Sequence, residues 1–167
     1  MARNDEQIKQ GREAEEKFLK LFPLIRKANK KEDIIEHWDV MVELDGNSVK
    51  VDVKGIKNND RFDICPNENI NWIEIQNSDG KTGWLYGKSD LIAFETQDYF
   101  ILVGTLKLRR FLERKMGYKQ ENIGKIDPKN VKDLYTFFQR KGRKDILVKV
   151  KTIDLMHIKY SSVKKKL

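Results

Sequence analysis

Residues 37–55 read HWDVMVELDGNSVKVDVKG, and the turn in their middle decides how the chain folds. Asp45-Gly46 predicts a type I′ hairpin, because both central positions of that turn need φ > 0 and Asp-Gly tolerates it. Paired positions then sum to 91. Leu44 faces Asn47, Val42 faces Val49, Val40 faces Val51, and Asp39 faces Asp52. A four-residue loop keeps this pairing, whereas a three-residue loop shifts it by one. Side chains alternate along a strand. Val40, Val42 and Leu44 therefore share an apolar core face with Val49, Val51 and Val53. The other face carries Asp39, Met41, Glu43, Ser48, Lys50, Asp52 and Lys54.

Two facing carboxylates repel each other, and one of their pKa values should rise. A bound Mg²⁺ or Mn²⁺ relieves both effects, since hard cations take carboxylate oxygens as ligands. Lys54, on the same face, can hold a water or a phosphate oxygen beside such a metal. The competing reading is a solvated strand face on which Asp52 pairs with a lysine.

Working back toward the N-terminus, residues 5 to 22 read as an amphipathic helix. Asn4 or Asp5 can cap its start, and Pro23 stops it. Its stripe is Ile8, Gly11, Phe18 and Phe22, widened by Leu19 and Leu21. Glu15 falls in this stripe, two turns from both Ile8 and Phe22. A glutamate there is costly unless paired. It either reaches water or a lysine at the edge of the stripe, or reaches the metal site directly or through water.

These residues resemble the PD-(D/E)xK nuclease superfamily. Its pattern is a glutamate on the first helix, an aspartate on one strand and a D/E-x-K triplet on the next. Glu15, Asp39 and Asp52-Val53-Lys54 match it in order. Gly11-Arg-Glu-Ala-Glu15 also resembles the Gly-x-x-x-Glu opening of archaeal Holliday-junction resolvases in that superfamily. The likeness covers roughly residues 6 to 105. Trp38 stands where the proline before the first aspartate usually lies.

The resemblance implies an α/β, restriction-endonuclease-like αβββαβ core, with a mixed central sheet flanked by helices. It also implies Mg²⁺-dependent hydrolysis of phosphodiester bonds, with Mn²⁺ able to substitute. Asp39, Asp52 and the Val53 carbonyl would bind metal, and Glu15 would support the metal shell. Lys54 would orient or help deprotonate the attacking water. A further polar residue often follows the D-x-K strand; Gln76 is the first candidate and Glu74 the second. Enzymes of this type are often homodimers.

The rest of the chain bounds these expectations. Its 167 residues suit one domain with a proper core. The catalytic core is expected at about 5–106 and a basic α/β extension at about 107–160. Hydrophobic content of 39% and charged content of 36% fit a soluble protein. No apolar run approaches a membrane span and the N-terminus is no signal peptide, which suits the cytoplasm. The single Cys65 excludes an internal disulfide. With only His37 and His157 beside it, zinc is not expected.

Charge is unevenly placed. Residues 1–106 hold 15 basic and 20 acidic side chains, residues 107–151 hold 15 and 5, and residues 152–167 hold 4 and 1. The basic third is either a footprint for a polyanion, most simply a phosphate backbone, or a solvated surface. Candidate phosphate partners are Lys50, Lys57, Arg61, Arg109, Arg110, Lys141, Arg143 and Lys144. Lys164-Lys165-Lys166 reads as a frayed tail.

Periodicity predicts strands at Ile70–Gln76 and Thr82–Tyr86 around an Asn77–Gly80 turn. A second pair is expected at Leu91–Thr96 and Tyr99–Leu106. Helices are expected at Lys107–Met116 and from Asp127-Pro128 to near Gly142, the second with Val131, Leu134, Tyr135 and Phe138 as its apolar positions. Ile146, Val148 and Val150 predict a final edge strand. Asn58–Asn69 is the most loop-like segment. A DNA endonuclease acting in repair, recombination or restriction is the leading expectation, with branched DNA a possible substrate. A catalytically inactive scaffold that binds nucleic acid and an RNA nuclease are the alternatives.

Overall fold

The computed structural model describes residues 2–57 and 67–167, with side chains from Ile8 onward. In chain order the elements are α1 (Ala2–Leu19), β1 (Leu24–Lys27), β2 (Val40–Leu44), β3 (Asn47–Lys54), β4 (Ile70–Gln76), β5 (Leu91–Glu95), β6 (Tyr99–Gly104), α2 (Thr105–Met116), β7 (Phe137–Phe138), β8 (Ile146–Lys151), α3 (Thr152–Met156) and β9 (Ser162–Lys165).

The hairpin forms in the expected register. Asp45 and Gly46 have φ of 50° and 77°, and Val40 pairs with Val51, Val42 with Val49 and Leu44 with Asn47. The hairpin sits inside a six-stranded sheet of order β1-β2-β3-β5-β6-β9. β3 and β5 run parallel, with Asp52 beside Ile92 and Lys54 beside Phe94. A second, antiparallel sheet has the order β4-β8-β7.

Alternation along the strands explains the layers. Val40, Val42, Val51 and Val53 join Ala93, Phe100 and Leu102 against Ala14 and Phe18 of α1. Ile92, Phe94, Ile101 and Val103 point the other way and meet Ile73, Ile75, Ile146, Val148 and Val150 of the second sheet. Asp52 and Lys54 alternate with Val51 and Val53, so they lie on the side facing the second sheet. The protein is thus mixed α/β, with α1, a large mixed sheet and a small sheet stacked in that order. Among the described residues, no helix is long and apolar enough to cross a membrane.

Several local expectations are corrected. α1 starts at Ala2, so Asn4 and Asp5 lie inside it rather than capping it. Its buried stripe runs through Ala14 and Phe18, while Ile8 is 52% exposed. Thr82–Tyr86 is not a strand. Only Thr82 bridges to Gln76, and a 3-10 turn at Trp84–Tyr86 follows. Gly83 N–H donates to Ile75 O at 2.9 Å, and a side chain there would stand 2.5 Å from the Glu74 carbonyl oxygen, so only glycine fits this close approach before the chain turns away.

Residues 127–142 do not form a helix. Lys129 N–H donates to Phe137 O at 2.7 Å, Gln139 N–H to Lys129 O at 3.0 Å, and Tyr135 N–H to Lys149 O at 2.9 Å. Their backbone bonds go to the small sheet and its own loop, and Tyr135 and Phe137 pack against the core. Tertiary packing overrides the helical spacing. β8 is the central strand of its sheet, not an edge. The lysine tail is ordered: β9 pairs with β6, and Lys166 Nζ reaches Glu95 Oε1 at 2.7 Å. The basic third is therefore woven into the core, through β4–β8 and β6–β9, rather than appended to it.

Candidate functional site

Asp39 enters the hairpin just before β2. Its N–H donates to Val51 O at 2.9 Å, and its carbonyl accepts from Ala28 N–H at 2.8 Å. The backbone is held on both sides, which fixes where the carboxylate points. Asp39 Oδ2 then accepts the Val53 N–H at 2.7 Å. Asp52, across the hairpin, is 2% exposed. Its Oδ1 lies 2.7 Å from Lys54 Nζ. Its Oδ2 is buried with no hydrogen-bond partner. Lys54 Nζ also lies 4.6 Å from the centroid of the Trp84 ring.

Glu15, Asp39, Val53, Lys54 and Lys57 line one cleft of about 350 Å³, together with Gly11 and Asp33. Asp52 lies behind this cleft, on the side of β3 that faces the small sheet. Asp39 links the two, facing Glu15 across the cleft and Asp52 across the hairpin.

The electrostatics follow this layout. Burial raises the Asp39 carboxyl from its ordinary 3.8 to about 7, and the charge of Asp52 adds to the rise. Lys54 and the Val53 N–H oppose it without prevailing. Burial likewise raises Glu15 from 4.5 to about 7, with Asp39 next in effect and Lys27 opposing. Asp52 is also raised by burial, against the pull of Lys54. Burial disfavours the Lys54 ammonium, but Asp52 and Asp39 outweigh it and the net shift is upward. Arg12, Lys54 and Lys57 line the same cleft and each opposes the rise at one or more of these carboxyls, yet burial prevails at all three.

The other sequence candidates are dispersed. Gln76 is not at the cleft, and its Nε2 donates to Lys144 O at 2.5 Å. Glu74 acts electrostatically on both Lys54 and Lys57. Lys50 lies 3.6 Å from Glu36 and over the Trp38 ring. Arg109 is committed to the carbonyls of Leu85 and Gly87, so it is a tie within the fold rather than a free phosphate partner. Arg110, Lys141, Arg143 and Lys144 are exposed. Arg61 and Cys65 lie outside the described residues. Among the described residues, no group of three or more His, Cys, Asp or Glu is placed to hold a metal ion. A cation would therefore rest on two carboxylates, with backbone oxygen or water beside them.

Sequence reading missed Asp33, which lines the cleft, and Trp84, which underlies Lys54. It also missed Glu95, whose Oε2 accepts the Ile56 N–H at 3.3 Å just past the D-x-K strand. Charge run and periodicity mark none of the three; Asp33 comes from the helical turn Glu32–Glu36, Trp84 from the turn Trp84–Tyr86 and Glu95 from the end of β5, and only the tertiary fold brings them near β3. Compared with protein-family models, with curated proteins and with solved structures, the chain matches none.

Proposed function

We propose that this chain is a divalent-metal-dependent nuclease of the PD-(D/E)xK type, hydrolysing phosphodiester bonds in DNA. The observation that carries the reading is the close opposition of two buried carboxyls across the hairpin, Asp39 and Asp52, whose side chains act directly on each other, with Asp52 Oδ2 given no other partner. Two buried carboxyls sharing one paired lysine are costly to ionise together. A Mg²⁺ or Mn²⁺ fits this deficit, since its preferred ligands are carboxylate and carbonyl oxygens. Asp39 and Asp52 would hold it, with the Val53 carbonyl as a further candidate ligand and Glu15 supporting from the cleft. When bound, such a cation lowers the pKa of a water and offsets charge on a phosphate oxygen.

The chain's own residues supply the rest. Lys54 lines the cleft with its Nζ on Asp52 Oδ1, from where its charge would orient a water and oppose developing negative charge. The Val53 N–H keeps Asp39 from swinging away. The order of α1, the hairpin and the parallel strand β5 supports the restriction-endonuclease-like core that the motif implies. A nucleic-acid-binding scaffold is the competing reading. The 2.7 Å pair of Lys54 and Asp52 favours it, because that pair offsets part of the charge without a metal.

The deciding experiment incubates the protein with plasmid, linear and branched DNA, and with RNA, in Mg²⁺, Mn²⁺ or EDTA. Asp52→Ala and Lys54→Ala are run alongside. Metal-dependent cleavage lost in both variants supports the reading. Cleavage that survives Asp52→Ala, or salt-sensitive binding without any cleavage, overturns it.

A further inference from the structure

We propose that the outer face of the β4-β8-β7 sheet is a platform for an unpaired nucleic-acid strand, with the half-buried Trp72 as its stacking ring and Lys149 as its phosphate partner. The identity of the polymer rests on the nuclease reading above.

The inner face of this sheet is accounted for by Ile73, Ile75, Ile146, Val148 and Val150, all in the core. On the outer face Phe138 is buried, with Lys132 Nζ 5.8 Å from its ring centroid, while Trp72 and Lys149 are half-buried. Trp72 and Lys149 are directly paired across β4 and β8, and Lys149 Nζ lies 5.7 Å from the Trp72 ring centroid. Phe138 tilts against Trp72 at 5.7 Å. It is itself only 5% exposed, so it backs the indole rather than competing for a ligand. Neither hydrophobic cluster includes Trp72, Phe138 or Leu147. A partly exposed indole on a sheet face, flanked by a lysine, offers a π surface and a cation together.

Glu74 follows Trp72 on the same side of β4, and its carboxylate is near enough to act on both Lys54 and Lys57. Arg140 acts on Lys57 from the other side. The aromatic ring argues for unpaired bases. A duplex hides its base faces and offers mainly phosphates to lysines, whereas single strands stack on aromatic side chains.

The test uses full-length protein in EDTA, so that binding is read without cleavage. Tryptophan emission is followed while an oligothymidylate of about 20 nucleotides is added. Trp38 and Trp84 are 0% and 9% exposed, so quenching reports mainly on Trp72, and Trp72→Phe should abolish it. Trp72→Ala should weaken binding of the fluorescein-labelled strand about tenfold, and Lys149→Glu should weaken it further with a shallower salt dependence. Duplex of the same length should be insensitive to Trp72→Ala.

Circular dichroism establishes that each variant is folded. Single-strand affinity unchanged in folded Trp72→Ala overturns the proposal. So does quenching by polyglutamate equal to that by the oligonucleotide, which would mark an acidic-polymer surface instead. Quenching without metal-dependent cleavage leaves this proposal standing and removes the nuclease reading. Cleavage with binding independent of Trp72 does the reverse.

Discussion

The Val53 backbone N–H donates to Asp39 Oδ2 at 2.7 Å, so the carboxylate of one hairpin strand is fixed by the backbone of the other. An asparagine at 39 can still accept that bond through its side-chain oxygen. Asp39→Asn is therefore expected to fold with an unchanged circular dichroism spectrum. Metal-dependent cleavage should drop by at least about 100-fold, the scale of losing one electrostatic element of a site. The rise in thermal midpoint on adding Mn²⁺ should also shrink. An unfolded Asp39→Asn would mean that the charge, not the hydrogen bond, maintains the hairpin.

Stability of the metal-free protein should depend on pH in an unusual direction. Burial, aided by neighbouring carboxylates, raises Asp39 from 3.8 and Glu15 from 4.5, both to about 7. The folded protein then keeps protons that the unfolded chain has already released. Stability must fall wherever the native state binds more protons. In EDTA the thermal midpoint should therefore decline as pH rises from about 4.5 to about 7, and level off above. Glu32, lowered to about 2 by its bonds to Arg26 and the Asn29 N–H, acts only below that window. Saturating Mn²⁺ should flatten the decline, and Asp39→Asn should reduce it. A midpoint that climbs through the window would contradict the buried, underneutralised cluster.

The hairpin register and the Asp39–Asp52 opposition were legible because a two-residue turn fixes pairing by local geometry alone. β5, β6 and α2 were legible for the same reason, each set by short-range periodicity and a turn or Gly117. What failed depended on distant partners. Nothing local in residues 127–142 says that their N–H groups will bond to Lys149 and to their own loop. Glu15 was found from its place in a helix stripe, yet the buried stripe itself runs through Ala14 and Phe18. The separation of Asp52 from the cleft that holds Glu15 was not visible, because a sheet face says nothing of which layer covers it.

Lys54 has two roles that a substitution can separate. It pairs with Asp52 at 2.7 Å and it lines the cleft. Lys54→Met keeps the hydrocarbon length over Trp84 but removes the charge. Cleavage should fall by about 10²–10³-fold, while Mn²⁺ binding, followed by calorimetry, should persist, since no metal ligand is lost. Loss of both together would reassign Lys54 from the reaction to the maintenance of Asp52.

The turn between β7 and β8 exposes Lys141, Arg143 and Lys144. If these side chains meet phosphates, replacing all three with alanine should weaken binding to every DNA sequence alike. The slope of log affinity against log salt should become shallower by up to about three. A fluorescence-anisotropy salt series checks this. An unchanged slope would make the turn a solvated surface and move the phosphate path elsewhere.

Glu95 ties three segments together without touching the cleft. Its Oε1 receives Lys17 at 2.9 Å from α1 and Lys166 at 2.7 Å from the C-terminal segment, and its Oε2 receives the Ile56 N–H at 3.3 Å. It is 5% exposed, but its partners are less enclosed, with the Lys17 and Lys166 side chains 47% and 17% exposed. In Glu95→Ala those ammonium groups can turn to water, so the loss should stay near that of ordinary charged hydrogen bonds, about 1–3 kcal/mol. The part-buried Ile56 N–H has less recourse to solvent. Glu95→Gln keeps an acceptor for it and removes only the charge, so urea denaturation should place this variant between alanine and the wild type. Equal loss in the two variants would show that the lysine pairs alone stabilise this junction.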